Sequence, residues 1–517
     1  MLKWLGRLWN TKKRRDKQHA QARWKDVFEG EHHSQPVHQG IGAYSRNLEF
    51  FQAVCGASHD IVFRRIQAGK DEVTLVYVDG LNNKQLLEQD VVAPLIDFTG
   101  ETLKLDSVLT AAEIKSCGDL KQGLEQLLNG EVLAVCDRAP WLWVLGMRMP
   151  PTRSVGETQR DGSVFGPRET FVESIRINTA LLRRRVRDPN LVMEMIPIGR
   201  RSQTGTVLCF IRGLADPTIV ESIIEQIKAV DIDLLNDTGQ LEQYIQSDIL
   251  TPFPQMEYTE RPDAAARALC NGRVAILCDG SPNALLAPVT FVQMMITPDD
   301  RYKAWGVSTL ERIVRWVALA VACMAPSLYV AIVSFHPGVM PARLELVSAA
   351  NRINIPFTAA MEVFLLEFAI ELLREASIRM PKSISQTLGI VGGIIIGDAA
   401  IKAGLVNPLL VVVVGVTAIC SFALPSYSMA SAIRVVKVFI LLSTCLLGLL
   451  GFSLSLMAVL AHMCMLSSFD VDYMQPMAPG LGAENRKVIW QMPLRWNQKR
   501  PAAYRPMDTI QQKEEKP

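Results

Sequence analysis

The sequence predicts an α/β N-terminal region of two related lobes, followed by an all-α polytopic membrane domain. The first observation behind this prediction is that charged residues crowd the first 315 positions, whereas 316–342, 403–433 and 438–469 contain no Asp, Glu, Lys or Arg. Each of these runs exceeds the about 20 helical residues that cross a hydrocarbon core of roughly 30 Å. The second observation is a strand and helix order that occurs twice before residue 308.

Five domains are predicted from this division. They are a basic flexible N-terminal tail (1–40), α/β lobe 1 (41–165), α/β lobe 2 (166–308), a helical transmembrane domain (309–470) and a basic, Pro-rich cytoplasmic tail (471–517). No apolar signal core follows the basic start of the chain, so we expect the lobes to be cytoplasmic. The ten scattered cysteines include no CxxC pair, which favours reduced thiols over a metal site. No nucleic-acid partner is expected.

The two lobes are predicted from a repeated unit. Its first copy has a strand at 73–80, a helix capped by Asn82, a helix at 119–129 and a strand at 131–137. The second copy has strands at 205–213 and 273–279 around helices at 216–230 and 264–271. The closest local match is LLNGEVLAVCD against ALCNGRVAILCD. Duplicated lobes can bind a ligand in their cleft or form a protein-binding platform, and the sequence leaves both open.

Lobe 2 contains the densest group of polar candidates. Arg261, Asp263 and Asp279 are candidates for contacts between the lobes or with a partner, and Arg261 is expected to bind a carboxylate in a bidentate contact. An acid–base role for Asp279 with Glu260 is less favoured, because both stand in turn or helix-start sequences. No nucleophile–base pair, GxSxG, HExxH, Walker or GxGxxG motif is present. The sequence therefore predicts no catalytic residue, no metal ligand, no cofactor and no enzyme activity.

The membrane half is predicted to begin with a span at 313–335 and a short amphipathic piece at 342–353. The segment 356–380 that follows is apolar, yet it contains Glu362, Glu367 and Glu371. A charged side chain at the bilayer centre costs at least about 2.5 kcal/mol, so three carboxylates cannot face lipid.

Two interpretations of these carboxylates remain open. In an assembly of several copies they form a ring, as in a cation pore, and are then pore or gating residues. Alternatively the helix lies at the membrane surface, with Glu371 paired to Arg374 and Glu375 paired to Arg379.

A glycine stripe marks the next segment. Gly389, Gly393 and Gly397 recur every four residues, and on a helix they let a neighbouring backbone approach closely, as in many membrane helix pairs. A phosphate-binding loop has similar spacing, but Asp398 stands where that loop needs a lysine. We predict a packing helix at 388–404, with Asp398 as a further pore or gating candidate.

The last apolar stretch, 435–468, is predicted to form one long tilted helix, because 32 charge-free residues span about 48 Å and are too few for two crossings and a turn. The residues after it are rich in Lys and Arg, which is typical of a cytoplasmic segment. An even number of crossings therefore fits best, and we expect 356–373 to lie along the membrane or dip into it. The discontinuous pair of apolar segments around Asn407-Pro408 is the second candidate for this role.

These motifs together resemble the A subunits of GerA-type spore germination receptors. The resemblance rests on PFPQ and TERPD within 252–263, DGSP at 279–282, APSLYVAI at 325–332, LLREASIRMP at 372–381 and GIVGGIIIGDAAIKAGLV at 389–406. It implies a multi-pass protein of the spore inner membrane that triggers germination in response to nutrients. It also implies a transporter-like B subunit and a lipoprotein C subunit as partners. A homo-oligomer, with a pentamer as one candidate, would act as a ligand-gated cation channel.

This sequence departs from the pattern of those A subunits at two positions. Asp398 replaces the usual Gln, and Ser377 replaces the usual Gly. Two alternatives stay open: a membrane scaffold or signal-relay subunit that does not conduct, and an accessory channel of the SpoVAF type, whose members share the same motifs.

Overall fold

The computed structural model describes residues 44–512, apart from 101–102, 104, 112, 138, 140, 151–165, 354, 380–396 and 481. The predicted N-terminal tail at 1–40 lies outside the described residues. So do Gly389 and Gly393 of the glycine stripe.

Lobe 1 is a five-stranded sheet covered by helices. The strands are β1 (Ile61–Ala68), β2 (Asp71–Val78), β3 (Ile114–Cys117), β4 (Val132–Cys136) and β5 (Leu142–Leu145). The helices are α1 (Tyr44–Cys55), α2 (Lys84–Leu87), α3 (Ala93–Asp97), α4 (Leu105–Val108) and α5 (Leu120–Asn129), with a π-helical segment (Glu88–Val92) between α2 and α3. The strand order is β1-β2-β4-β5-β3, and every neighbouring pair is antiparallel.

Lobe 2 repeats this sheet. Its strands are β6 (Leu191–Ile198), β7 (Thr204–Ile211), β8 (Glu257–Thr259), β9 (Val274–Cys278) and β10 (Ala284–Ala287), in the order β6-β7-β9-β10-β8. Its helices are α6 (Ile175–Arg185), α7 (Pro217–Lys228), α8 (Thr238–Ile245), α9 (Pro262–Cys270) and α10 (Phe291–Met294). Because each strand takes the same place in both sheets, the predicted pair of related lobes is present in the fold.

The central strands of both sheets are buried on both faces, which explains why they read as continuous apolar runs. In β9, Val274 and Ile276 face one apolar cluster, whereas Ala275 and Leu277 face another.

The N-terminal cap of α2 differs from the prediction. Asn83 caps α2 by accepting hydrogen bonds from two backbone amides, and Asn82 instead donates its side-chain amide to the carbonyl of Gly130.

The membrane half is a bundle of long helices. Its elements are α11 (Trp305–Val330), continued by a π-helical segment (Ala331–Phe335), then α12 (Ala342–Arg352), α13 (Ala359–Arg379), α14 (Pro408–Phe422) and α15 (Tyr427–Met465). Among the described residues, Trp305–Phe335 and Tyr427–Met465 are long and apolar enough to cross a membrane, and their most apolar 18-residue windows have mean hydropathies of 2.1 and 2.3. Large apolar side chains such as Ile419, Leu446 and Leu454 point outward from this bundle and are suited to lipid or to another protein surface.

The prediction of one long tilted helix at 435–468 is wrong, because α15 reverses direction at Gly448. This glycine has φ 61° and ψ −139°, a conformation that side-chain-bearing residues avoid. A Cβ at Gly451 would lie 2.1 Å from the carbonyl oxygen of Ser443, although eight residues of continuous helix span about 12 Å. Both ends of α15 also touch lobe 2: Tyr427 lines a cavity with Met294 there, and His462 hydrogen bonds Thr251. The helix is therefore a hairpin of two antiparallel halves.

The chain after α15 packs onto lobe 2. It contains the short strands β11 (Ser467–Ser468) and β12 (Val471–Asp472) and the helix α16 (Arg486–Ile489). Phe469 and Val471 join the apolar core of lobe 2, and Arg500 donates a hydrogen bond to the carbonyl of Cys270. We call residues 467–512 the C-terminal segment. It contains the described part of the predicted tail and is a structural part of lobe 2.

Candidate functional site

The candidate contacts of lobe 2 separate into two places. Arg261 is buried and binds both carboxylate oxygens of Asp263, at 3.1 and 3.0 Å, which is the expected bidentate contact. It also donates to Asp299 at 2.8 Å. Burial alone would raise the pKa of Asp263, but the hydrogen bonds and charge of Arg261 lower it below its usual value. This group locks the start of α9 to the loop that precedes α11.

Asp279 lies elsewhere, at the start of α6, where its side chain accepts a hydrogen bond from the amide of Ile175 at 3.1 Å. A carboxylate at a helix N-terminus satisfies an otherwise free amide and is favoured by the helix dipole. Asp279 therefore fixes the helix that connects the lobes, and it does not share a site with Arg261.

A buried ion pair joins the two lobes. Arg183 of α6 is fully buried and donates to both oxygens of Asp60, at 2.7 and 2.9 Å, and to the hydroxyl of Ser58. It also donates to the carbonyls of Asp188 and Leu191 in lobe 2. Sequence reasoning missed this group, because Arg183 stands in a run of three arginines that looks like a solvated helix face.

A second buried group joins lobe 2 to α11. Asp300 is fully buried, and it accepts hydrogen bonds from Arg312 and Arg315, each at 3.0 Å, and from Thr297 at 2.6 Å. Burial would raise the pKa of Asp300, but these hydrogen bonds and charges outweigh it and hold that pKa below its usual value. The sequence does not reveal this group, because Arg312 and Arg315 lie 12 and 15 residues after Asp300 and at the border of the predicted span.

Glu362 of α13 is completely buried in the membrane half. Its carboxylate accepts a hydrogen bond from the amide of Asn407 at 2.7 Å and lies 3.6 Å from the guanidinium of Arg352. Asn407 in turn caps α14 through its side chain. Glu362 therefore connects α13, the end of α12 and the start of α14.

Glu367 and Glu371 bind basic residues of α15. Lys437 donates to Glu367 at 2.5 Å, and Arg434 binds Glu371, which also lies 3.4 Å from Arg374. The side chain of Glu367 is 17% exposed, whereas that of Glu371 is 52% exposed. The surface pairs that the sequence suggested, Glu371 with Arg374 and Glu375 with Arg379, are both present.

These contacts fix the direction of α13. Residues 367 and 371 face 437 and 434, so α13 runs antiparallel to the first half of α15. Contacts of 362 with 407 and of 374 with 421 make α13 parallel to α14. The first half of α15 begins beside lobe 2 and runs away from it. The helices α13 and α14 therefore run towards lobe 2. The helix α13 thus packs along α14 and α15, which does not support a position along the membrane surface for 356–373. The other part of that expectation, that 356–373 dips into the membrane, stays a prediction.

The described part of the glycine stripe begins at Gly397, in a helical turn at 397–402. A Cβ on Gly397 would lie 3.7 Å from a methyl group of Val411, an ordinary contact with α14. Asp398 is exposed and accepts a hydrogen bond from Lys402, four residues on, at 2.6 Å.

Within the part of the chain that the structure describes, no group of three His, Cys, Asp or Glu side chains could hold a metal ion.

Known proteins similar to this chain are spore germination proteins. The family profile described as "Bacillus/Clostridium GerA spore germination protein" matches residues 49–503. "Spore germination protein B1" of Bacillus subtilis (strain 168) is 33% identical over 90% of this chain and 98% of its own length. "Spore germination protein A1" of the same organism is 38% identical over 73% of this chain and 79% of its own.

One solved structure also aligns with this chain. It is the crystal structure of the N-terminal domain of the A subunit of the Bacillus megaterium spore germinant receptor GerK3. The alignment covers 50% of this chain and 99% of that one, at 27% identity and a TM-score of 0.39, a superposition too loose to establish the fold by itself.

Proposed function

Because this chain belongs to the GerA family of spore germination proteins, we propose that it is the A-type subunit of a nutrient germinant receptor and conducts cations as an oligomer. The observation that carries the proposal is the pair of buried ion-pair groups at Arg183 and Asp300. The first group joins lobe 1 to lobe 2, and the second joins lobe 2 to α11. Through these contacts a movement of one lobe against the other would shift α11 and with it the membrane half.

The proposed path through the membrane has six crossings. α11 crosses the membrane from the side of lobe 2 to the opposite side, and α13 crosses back. The predicted glycine-striped helix then crosses to the opposite side again, and α14 crosses back to the side of lobe 2. The two halves of α15 leave and return. This even number puts the lobes and the C-terminal segment on one side, the cytoplasmic core side of the spore inner membrane. The 15 residues of α14 span about 22 Å, less than the roughly 30 Å of a hydrocarbon core, so the bilayer would thin beside it or α14 would be covered by other copies.

Exposure separates the four carboxylate candidates for the pore. Glu362 and Glu367 are buried or nearly so against their partners and are proposed to hold the bundle together. Glu371 and Asp398 keep more than half of their side-chain surface exposed and are proposed to face the axis of a homo-oligomer, where rings of carboxylates favour cations. Gly389, Gly393 and Gly397 remain the proposed contact stripe between helices.

The partners proposed for this subunit are a transporter-like B subunit and a lipoprotein C subunit. Spores that lack only this chain should lose the response to one nutrient while germinating normally with others. An unchanged nutrient response after deletion would instead favour an accessory role of the stage V sporulation type.

The test of conduction uses spores that carry Glu371→Gln or Asp398→Asn. The expected result is an altered rate of monovalent cation release after nutrient addition, with the protein at normal abundance. The control is Glu375→Gln on the same helix, which removes an exposed carboxylate paired with Arg379. Unchanged release in both test variants would remove acidic pore lining from the proposal.

A scaffold that does not conduct is the second candidate. Its support is that all four carboxylates already have a cationic partner within the chain. The purified protein, reconstituted with its partners in every combination, would then never conduct.

A further inference from the structure

A cavity of about 140 Å³ lies where lobe 2, the start of α11 and the C-terminal segment meet. Its walls come from α9, from the loop that leads to α11, and from residues between Glu484 and Tyr504. This space is large enough for several water molecules or for a small anion.

The walls of this cavity are basic. Six cationic side chains line it against two anionic ones; they are Arg267, Arg273, Arg301, Arg312, Lys487 and Lys499, against Glu257 and Glu484. Two of the cations are neutralised locally. Arg273 binds Glu257 at 2.6 Å, and Arg312 binds Asp300 at 3.0 Å. Arg267 lies 4.0 Å from Asp263 and over the ring of Tyr302, and Lys487 donates a hydrogen bond to the side-chain oxygen of Asn497. Positive charge still exceeds negative charge at the cavity wall.

Arg301 is the clearest uncompensated charge. Among the described residues its guanidinium has no hydrogen bond and no ion pair, and the side chain is partly buried. Burial, followed by the charges of Arg267 and Arg312, lowers the pKa of Arg301 to about 10, so it stays cationic at neutral pH. A cation that has two cationic neighbours and no ion pair favours a bound anion beside it.

A second buried group faces the same space. Asn271 lies one helical turn after Arg267, at the C-terminal end of α9, and only 7% of its surface is exposed. Its side-chain oxygen has no hydrogen-bond partner within the described part of the chain. Buried polar groups are nearly always paired, so this one also indicates a missing ligand.

We propose that this cavity binds a small oxyanion, a phosphate or carboxylate group, between Arg301 and Arg267. When the anion is a phosphate that keeps one proton, its hydroxyl group donates a hydrogen bond to the side-chain oxygen of Asn271. Guanidinium groups form planar, charge-assisted hydrogen bonds with such anions. The anion would join lobe 2 to the C-terminal segment, because Lys487 and Lys499 line the cavity from the other side. Like any ligand of the folded state, it stabilises this junction by mass action.

The oxyanion has two possible sources, a free solute or the phosphate of an anionic lipid. The cavity lies beside the entry of α11 into the membrane half. Trp490 in its wall stacks on Trp305 with ring centroids 6.0 Å apart, and both rings are about half exposed. Tryptophans of this kind are enriched at the level of lipid headgroups.

The test uses the full chain, purified in detergent or in nanodiscs, and follows its apparent thermal midpoint. Inorganic phosphate and acetate are titrated at constant ionic strength, and nanodiscs of phosphatidylcholine are compared with nanodiscs that contain phosphatidylglycerol. The variant is Arg301→Gln. The matched control is Arg201→Gln, which removes the same charge from an exposed site on the same lobe.

The expected result is a saturable rise of the wild-type midpoint with phosphate or acetate, or with phosphatidylglycerol, and the arm that responds identifies the source. Arg301→Gln should weaken that response at least about tenfold, because a hydrogen bond to a charged group contributes about 1.5–3 kcal/mol. Without the anion, Arg301→Gln should be as stable as the wild type or more stable, because it removes repulsion from two neighbouring arginines. Arg201→Gln should behave as the wild type.

Two results would overturn the proposal. One is a wild-type midpoint that responds to none of phosphate, acetate and phosphatidylglycerol. The other is an Arg301→Gln variant that is less stable than the wild type in every condition yet keeps the same anion dependence, because Arg301 would then have a structural role only.

Discussion

Replacing Glu367 by Gln tests whether the carboxylates of α13 hold the bundle together. In the wild type, Lys437 donates to Glu367 at 2.5 Å, and both side chains are less than a fifth exposed. At an effective dielectric constant of about 20, two unit charges at this distance attract by ~7 kcal/mol, before the cost of desolvating them is subtracted. Removing one partner leaves the ammonium of Lys437 buried without a counter-charge, which costs about 3–5 kcal/mol.

The assay is the apparent thermal midpoint of the purified full chain in one detergent. Glu367→Gln should lower it by several degrees, whereas Glu375→Gln should leave it nearly unchanged, since exposed pairs contribute about 0–1 kcal/mol. The double variant Glu367→Gln with Lys437→Met should recover most of the loss, because it replaces the pair with groups that need no counter-charge.

The reasoning would be refuted if Glu367→Gln cost no more than Glu375→Gln, or if the double variant were as unstable as the single one. A rescued double variant also separates structure from conduction. If it restores both stability and cation release in spores, Glu367 is a packing residue and not part of the pore lining.

Three further predictions follow from buried groups and one turn. Asp60→Asn should destabilise the junction of the lobes by about 3–5 kcal/mol, measured as faster hydrogen exchange in β1, whereas the exposed Asp231→Asn should not change that exchange. Gly448→Ala should cost about 1–3 kcal/mol of thermal stability because of its positive φ, whereas Gly415→Ala, whose added Cβ would meet nothing within 4 Å, should cost little. Because the pKa of Asp300 is held below 3.8 in the fold, its contribution to stability is present above that pH and is lost as the pH falls further. Asp300→Asn should therefore show a weaker loss of thermal midpoint between pH 5 and pH 3 than the wild type.

The sequence was informative about the central strands and less informative about the sheet edges. β2, β4, β7 and β9 are apolar on both faces and can be recognised as continuous runs. β1 was missed because Arg64 and Arg65 interrupt its pattern, and an edge strand with one exposed face tolerates such residues. The repeat made the two lobes predictable, but not the antiparallel pairing of their strands.

The reversal in α15 was hidden by composition. A turn that is covered by protein needs no polar or charged residues, so the run 438–469 shows no interruption except its glycines. The ion pairs were equally hidden. The carboxylates of α13 could be recognised as too costly for lipid, but Lys437 follows Glu367 by 70 residues and Arg183 follows Asp60 by 123. Which helices become neighbours depends on tertiary packing, and no local pattern encodes it.

The contribution of Phe469 and Val471 to the core of lobe 2 has a consequence for biosynthesis. β10, the last strand of that sheet, ends at Ala287, so the ribosome must add more than 180 residues, including the whole membrane half, before Val471 exists. At about 5–20 residues per second, this interval is roughly 10–40 s. During it, the surface of lobe 2 that later receives Phe469 stays uncovered. Synthesis of the chain through α15 is thus a precondition for a complete core of lobe 2, and a chain truncated within α15 would present an open apolar surface to chaperones and proteases.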